Sequence, residues 1–243
     1  MSFDACAGIV EKGDPERFRA IMAAPLAARH ILFPLYAFNV EVTRAPWVTK
    51  EAMIAEMRLQ WWRDALEEIA AGGTVRKHEV VDALAAVLDA QGALCLDGLI
   101  AARRWDIYND AFEDQAHFDD YIDATSGHLL WTGARLLGAT DDVRTRDFAY
   151  GVGIANLLRA IPALEDQGRK PLINGTTDGV RALAQTGLQR LQAGHAPKPL
   201  RLTGFMAKPI LKQAIADPAR VAADALAIGP AKQAFLLAKT ALF

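Results

Sequence analysis

The sequence predicts an all-α protein forming one domain over residues 1–243. Three observations carry this. Apolar residues recur at helical spacing in segment after segment. No alternating run flanked by hairpin turns appears. The breaks between segments carry the caps, glycines and prolines that start and stop helices. The chain is long enough for one large core. It is 52% apolar and 23% charged with a net charge of −2, a balance that suits a soluble globular protein. That balance leaves no basic excess to recruit nucleic acid.

Taken in order, Asp14 and Pro15 form an N-cap with proline at the first helical position, opening a helix over residues 14–24. Pro25 starts a second helix, carrying Arg29, His30, Tyr36 and Phe38, which Pro46 breaks. Thr49 is placed to cap a third, ended by Gly72 and Gly73, whose Met53, Ile54, Met57, Trp61, Ala65 and Ile69 share one broad apolar arc. Helices over 77–90 and 94–105 follow, and Asp106 reads as a cap for the next. In the segment 118–138, with Tyr121 and a Leu/Trp/Ala-rich run, Gly127 permits close approach of a neighbour. From Gly151 a helix apolar almost all round runs to a stop at Gly168, which marks it as central and buried.

Asn156 and Arg159 lie in the middle turns of that helix, where a dry core needs partners for them. Arg159 is therefore expected to pair with a carboxylate such as Glu41, Asp64 or Glu68. Thr177 or Asp178 caps a helix to residue 191, and two more cover 203–216 and 218–227. The final segment, 230–243, places Phe235, Leu236, Leu237, Leu242 and Phe243 among two lysines. It reads as a terminal helix docked on the core, with a membrane surface as the alternative.

Cys6 and Cys95 lie far apart without metal spacing and read as reduced thiols of a cytoplasmic protein. Asp4, Glu11 and Asp14 interrupt the first residues, so no export signal is expected. The longest strongly apolar run, 31–38, is far short of a membrane span and contains Pro34, so any membrane contact is expected to be peripheral, at the inner face.

Asn156, Arg159, Gly168 and Arg169 resemble the pattern of squalene and phytoene synthases, N-x-x-R-D-x-x-E-D followed at fixed distance by a G-R pair. FRAIMAAPLAARHILFPLYAFNVEV likewise resembles the family's opening, in which Y-A-F precedes paired aspartates. The resemblance covers residues 14–173 and implies an isoprenoid-synthase-like helical bundle around a central cavity. It also implies the cavity or ligand-binding candidates Arg29, Tyr36, Asn39, Glu41, Asn156, Arg159 and Arg169.

The metal chemistry is absent from the pattern. Thr43 and Arg44 stand at the first aspartate pair, Ala160 and Leu164 at the second, and Ala163 at the glutamate. Ionising an allylic diphosphate needs Mg²⁺ bridging the leaving group to carboxylates; alanine and leucine offer no oxygen and an arginine repels the cation. Glu165 and Asp166 are turned away from position 164 by about 100° per residue, and Glu41 is placed to pair with Arg44 at i+3. No catalytic residue, metal or other cofactor is therefore expected.

The stretch EVTRAPWVTKEAMIAEMRLQW and the word L-R-A-x-P at residues 158–162 resemble one branch of the superfamily, the assembly factors for respiratory complex I and their bacterial relatives. That resemblance implies a degenerate synthase that assists complex I assembly, with complex I subunits or assembly intermediates as partners and a lipid or prenyl chain as ligand. Small residues Gly127, Gly153 and Ala155 are expected to leave the deeper wall of the cavity open. An active Mg-dependent head-to-head prenyl transferase is the alternative, and a ligand-free structural protein the third class.

Overall fold

The computed structural model describes residues 2–108 and 110–242. Among them every regular element is helical, and they form two compact units. Unit 1 contains residues 2–108 with 132–140, and unit 2 contains 110–131 with 141–242. Phe243, named above in the final apolar segment, lies outside the described residues.

Unit 1 opens with α1 (Ser2–Gly13), a helix the sequence reading missed because no capping residue or proline announces it. It buries Cys6 and Val10. α2 (Pro15–Met22) begins where expected: Asp14 Oδ1 accepts the Arg17 N–H at 3.0 Å, and Pro15 occupies the first turn. α3 (Leu26–Arg44) follows Pro25 and is the spine of the unit, burying a continuous run from Leu32 to Phe38. Phe38 meets Trp62 edge to face, with ring centroids 5.5 Å apart.

α4 (Ala52–Ala70) starts later than Thr49, whose hydroxyl accepts the Glu51 N–H in a turn before the helix. Its buried stripe is Ala55, Leu59, Trp62, Ala65, Leu66 and Ile69, so the predicted arc holds at Ala65 and Ile69 and is rotated in the first half of the helix. Met53 is 70% exposed and Met57 65%. α5 (Glu79–Ala85) is shorter than the expected 77–90, because Asp89 instead caps α6 (Ala90–Arg103), accepting the Gly92 N–H at 2.8 Å. Arg135 also donates to Asp89. Asp106 is buried and accepts from Arg103 at 3.0 Å, while Asp114 caps the following helix; the expected cap at Asp106 is corrected accordingly.

Residues 115–136 form α7 (Gln115–Ile122), a π turn over Asp123–Gly127, and α8 (His128–Leu136). The chain passes from unit 2 to unit 1 at Thr132. α9 (Asp142–Asp166) begins nine residues before Gly151, capped by Asp141. α10 (Thr177–Ala193) is capped by Thr176, one residue before the predicted candidates. α11 (Lys198–Thr203) and α12 (Ala207–Ala216) replace the single helix expected over 203–216. α13 (Ala219–Ala222) is one turn, and α14 (Pro230–Leu242) buries no residue among those described.

Unit 2 is organised by the close approach of α9 and α10. A Cβ added at Gly151 lies 2.6 Å from the Gly187 carbonyl oxygen, so backbone meets backbone. Gly151→Ala should therefore cost about 2 kcal/mol by overpacking. Gly8, inside α1 with open space at its Cβ, gives the opposite sign: Gly8→Ala should add about 0.5–1 kcal/mol. Urea titrations of both variants read the difference.

Candidate functional site

On α3, Asn39, Glu41, Thr43 and Arg44 come together on a polar cavity of about 760 Å³ within unit 1. The end of α1, Asp14, Trp47 and His78 complete its wall. Arg44 donates to Glu41 at 3.1 Å, the i, i+3 pair that the spacing predicts. Thr43 Oγ1 is buried and makes no hydrogen bond. At the motif positions one carboxylate, Glu41, is engaged with a guanidinium beside a lone hydroxyl, while of the other two carboxylates in the wall, Asp14 and Glu79, Asp14 is engaged with Arg17. Such a donor set does not fit Mg²⁺, which takes several hard oxygens in near-octahedral geometry. Among the described residues no three His, Cys, Asp or Glu side chains are grouped as metal ligands.

Two other candidates from this stretch serve the fold of unit 1. Arg29 Nε donates to the Ala24 carbonyl at 2.8 Å, satisfying an acceptor just past the end of α2. Tyr36 is buried, with the Arg17 guanidinium 4.9 Å above its ring. Arg17 also donates to Asp14 at 2.9 Å, and its Nε is buried without a hydrogen bond. The sequence reading passed over this cation because an Arg two residues after Pro15 looks like an ordinary first-turn residue; only the capping Asp14 hinted at its partner.

In unit 2, Asn156 and Arg159 are exposed, and Ala160 and Leu164 are half-buried. The expectation that Arg159 is a buried charge is corrected. α9 buries Val152, Ile154, Ala155, Leu158 and Ile161, and positions 156, 159 and 163 fall on the opposite, open side. In unit 1, Glu41 and Glu68 are engaged with Arg44 and Arg76. The G-R pair has a structural use. Gly168, at φ +77°, donates to the Glu165 carbonyl, and the Arg169 N–H reaches the Leu164 carbonyl at 3.1 Å, closing α9 in a Schellman turn. Arg169 itself is half-buried.

The small residues expected to leave an open wall are occupied. A Cβ at Gly153 would lie 2.8 Å from Ser126 Cβ, and Gly127 lies against the Asp123 carboxylate. Ala155 is buried. Gly153 and Gly127 thus sit where α9 and the π turn come close.

Sequence reasoning also missed an ionisable cluster at the start of α9. Tyr150 donates to Asp119 at 2.7 Å while the Arg190 guanidinium lies 3.9 Å over its ring and bonds Asp147. Burial, then the hydrogen bond to Asp119, holds the Tyr150 phenol above its usual range. Three helices contribute to this cluster, so no local motif marks it. Burial likewise pushes the Cys6 thiol up to about 12, which makes it an unreactive core residue.

His128 supplies a pH test. Burial, with Arg146 nearby, holds its imidazole below the ordinary 6.5. The unfolded chain therefore binds this proton more readily, and stability falls as the pH drops below 6.5 toward the folded-state value. His128→Gln should flatten the curve of unfolding free energy against pH in that acidic window and leave it unchanged above pH 7.5, roughly a unit beyond the unfolded value.

Among the described residues no helix is long and apolar enough to cross a membrane. Along its length, the chain is similar in fold to a crystal structure of a dehydrosqualene synthase in complex with ligand. The TM-score is 0.76 at 13% identity, covering 98% of this chain and 95% of that one. Squalene synthase HpnC from Alicyclobacillus acidocaldarius is similar at a TM-score of 0.61 and 19% identity, covering 98% and 92%. These likenesses show an all-α isoprenoid synthase fold.

Among curated proteins, the complex I assembly factor 6 homolog of Drosophila melanogaster is 30% identical over 167 residues, 65% of this chain and 50% of that protein. Complex I assembly factor 6 of Homo sapiens is 25% identical over 161 residues, 65% and 48%. The chain thus spans about half the length of the curated relatives it matches. The squalene/phytoene synthase family profile matches residues 10–173, which contain both degenerate motifs and the Gly168–Arg169 turn, and the chain belongs to that family.

Proposed function

We propose that this protein is a catalytically degenerate squalene/phytoene synthase that acts in the assembly of respiratory complex I, as a scaffold for subunits or assembly intermediates. One observation carries the reading: all four metal-binding positions are replaced, by Thr43, Arg44, Ala160 and Leu164, in a chain whose curated relatives are named for complex I assembly. The replacement at 44 has its own contact, since Arg44 is engaged with Glu41. Asn156, exposed on α9, is placed to meet a partner or a neutral lipid or prenyl chain. In this reading the protein works in the cytoplasm, at the inner face of the membrane that holds complex I.

Deleting the gene and assaying complex I activity and isoprenoid products separately tests the proposal. The expected result is loss of complex I activity with squalene and phytoene unchanged; intact complex I with missing isoprenoids overturns it. The likeness to a dehydrosqualene synthase favours one alternative, an active prenyl transferase. Calorimetry with farnesyl diphosphate decides between them. The scaffold reading expects no gain in affinity on adding Mg²⁺, because neither alanine nor leucine supplies an oxygen ligand.

A further inference from the structure

A second cavity, of about 850 Å³, lies wholly within unit 2, and none of the positions discussed for the degenerate site lines it. Its volume falls inside the roughly 300–1,000 Å³ range of sites that enclose small ligands. Phe148 from α9, Leu191 from α10, Phe205 before α12 and Leu236 from α14 make its wall. The rim has the opposite character. Arg201, Lys208, Lys212, Lys232 and Lys239 stand around it, with Asp217 as the carboxylate.

Elsewhere in this protein arginines are regularly paired: Arg63 with Asp97, Arg76 with Glu68, Arg146 with Asp123 and Asp142. These five cations are in no ion pair among the described residues. Lys208 and Lys212 are an i, i+4 pair of like charges, an arrangement that destabilises a helix standing alone. One polar atom of the wall points the same way. Arg201 Nε is buried without a hydrogen-bond partner, and a buried donor of this kind calls for an acceptor. α14 lies along one side and buries no residue of its own, although Leu236 and Leu237 are half-buried.

We propose that this cavity binds one amphiphile with a long apolar chain and an acidic headgroup, a carboxylate or a phosphate monoester. The chain lies against Phe148, Leu191, Phe205 and Leu236. The headgroup sits at the rim between the lysines of α12 and those of α14, and draws a hydrogen bond from Arg201. The apolar wall accounts for affinity and the unpaired cations for the sign of the head, since complementary charge at a partly desolvated rim discriminates between ligands. The assignment does not rest on the complex I reading; either can fail alone.

Calorimetric titrations with oleate, monooleoyl phosphatidic acid and oleyl alcohol, each kept monomeric, test it, alongside vesicles of phosphatidylcholine with and without phosphatidylglycerol. Saturable one-to-one binding of the two acids is expected, weaker by about tenfold or more for the alcohol and weakened by salt. Two variants separate head from chain. K208E/K212E should lose about tenfold for the acids while changing the alcohol little. A216W, on an exposed wall position, should fill the cavity and abolish binding of all three with the melting temperature kept. Oleate alone binding names a free carboxylate as the ligand, and the phosphate alone a phospholipid head; either supports the site. Equal affinity for acid and alcohol, or acids unaffected by either variant, overturns it. So does binding only to anionic vesicles, which makes α14 a surface anchor, or only to an acidic amphipathic peptide, which makes the groove a protein interface.

Discussion

Truncating Phe38 to alanine lowers the free energy of unfolding by about 4 kcal/mol, the middle of the range for a large aromatic removed from a core. Phe38 is fully buried on α3 and meets Trp62 of α4 edge to face. The loss has two parts: the transfer of a phenyl group out of its apolar surroundings, and the cavity left where α3 and α4 are too closely held by their neighbours to collapse into it. The edge-to-face contact adds a smaller contribution. Guanidinium titration followed by tryptophan fluorescence reads both the shift in midpoint and the change around Trp62. A loss under about 1.5 kcal/mol would show that the helices close the gap, contrary to this packing.

The second large effect is at Asp14. Asp14→Ala should destabilise by about 3 kcal/mol, because it removes an N-cap and strands a guanidinium at the same time. The carboxylate accepts the Arg17 backbone N–H at 3.0 Å and its side chain at 2.9 Å. Arg17 retains only 13% of its side-chain exposure and leans on the Tyr36 ring. The estimate sits at the low end of the range for broken buried pairs because Asp14 itself is one-third exposed and partly screened. Asp14→Asn, which keeps the cap but not the charge, should recover about 1 kcal/mol. Equal loss in both variants would assign the whole effect to the ion pair.

Asp14 also shows what was legible in the chain. A capping carboxylate before a proline is a local signal, and it located the start of α2 to the residue. Pro25 and Gly168 did the same for the start of α3 and the end of α9. Where the deciding interaction is distant, the reading failed. Asp89 belongs to α6 because it bonds Gly92 and Arg135, and nothing around it says so. The apolar arc of α4 was wide enough to admit two orientations, and packing against α6 selected the one that leaves Met53 and Met57 exposed.

The candidate site divides in the same manner. Residue types at the motif positions were read directly, so the missing aspartates were visible and the family followed. The environment of those positions was not: Asn156 and Arg159 are exposed, on the side of α9 away from its buried face. The rim of cations around the unit 2 cavity was invisible for a different reason. It is assembled from α11, α12 and α14, and no short stretch carries more than two of its charges.

The Glu41–Arg44 pair sets a barrier to building a metal site on α3. Placing an aspartate at 44 alone sets two carboxylates at i and i+3 on one face of α3, a repulsion with no cation present to relieve it. Arg44→Asp taken singly therefore loses an ion pair and adds a like-charge contact, so an ordinary surface contact on a helix holds α3 away from a carboxylate pair.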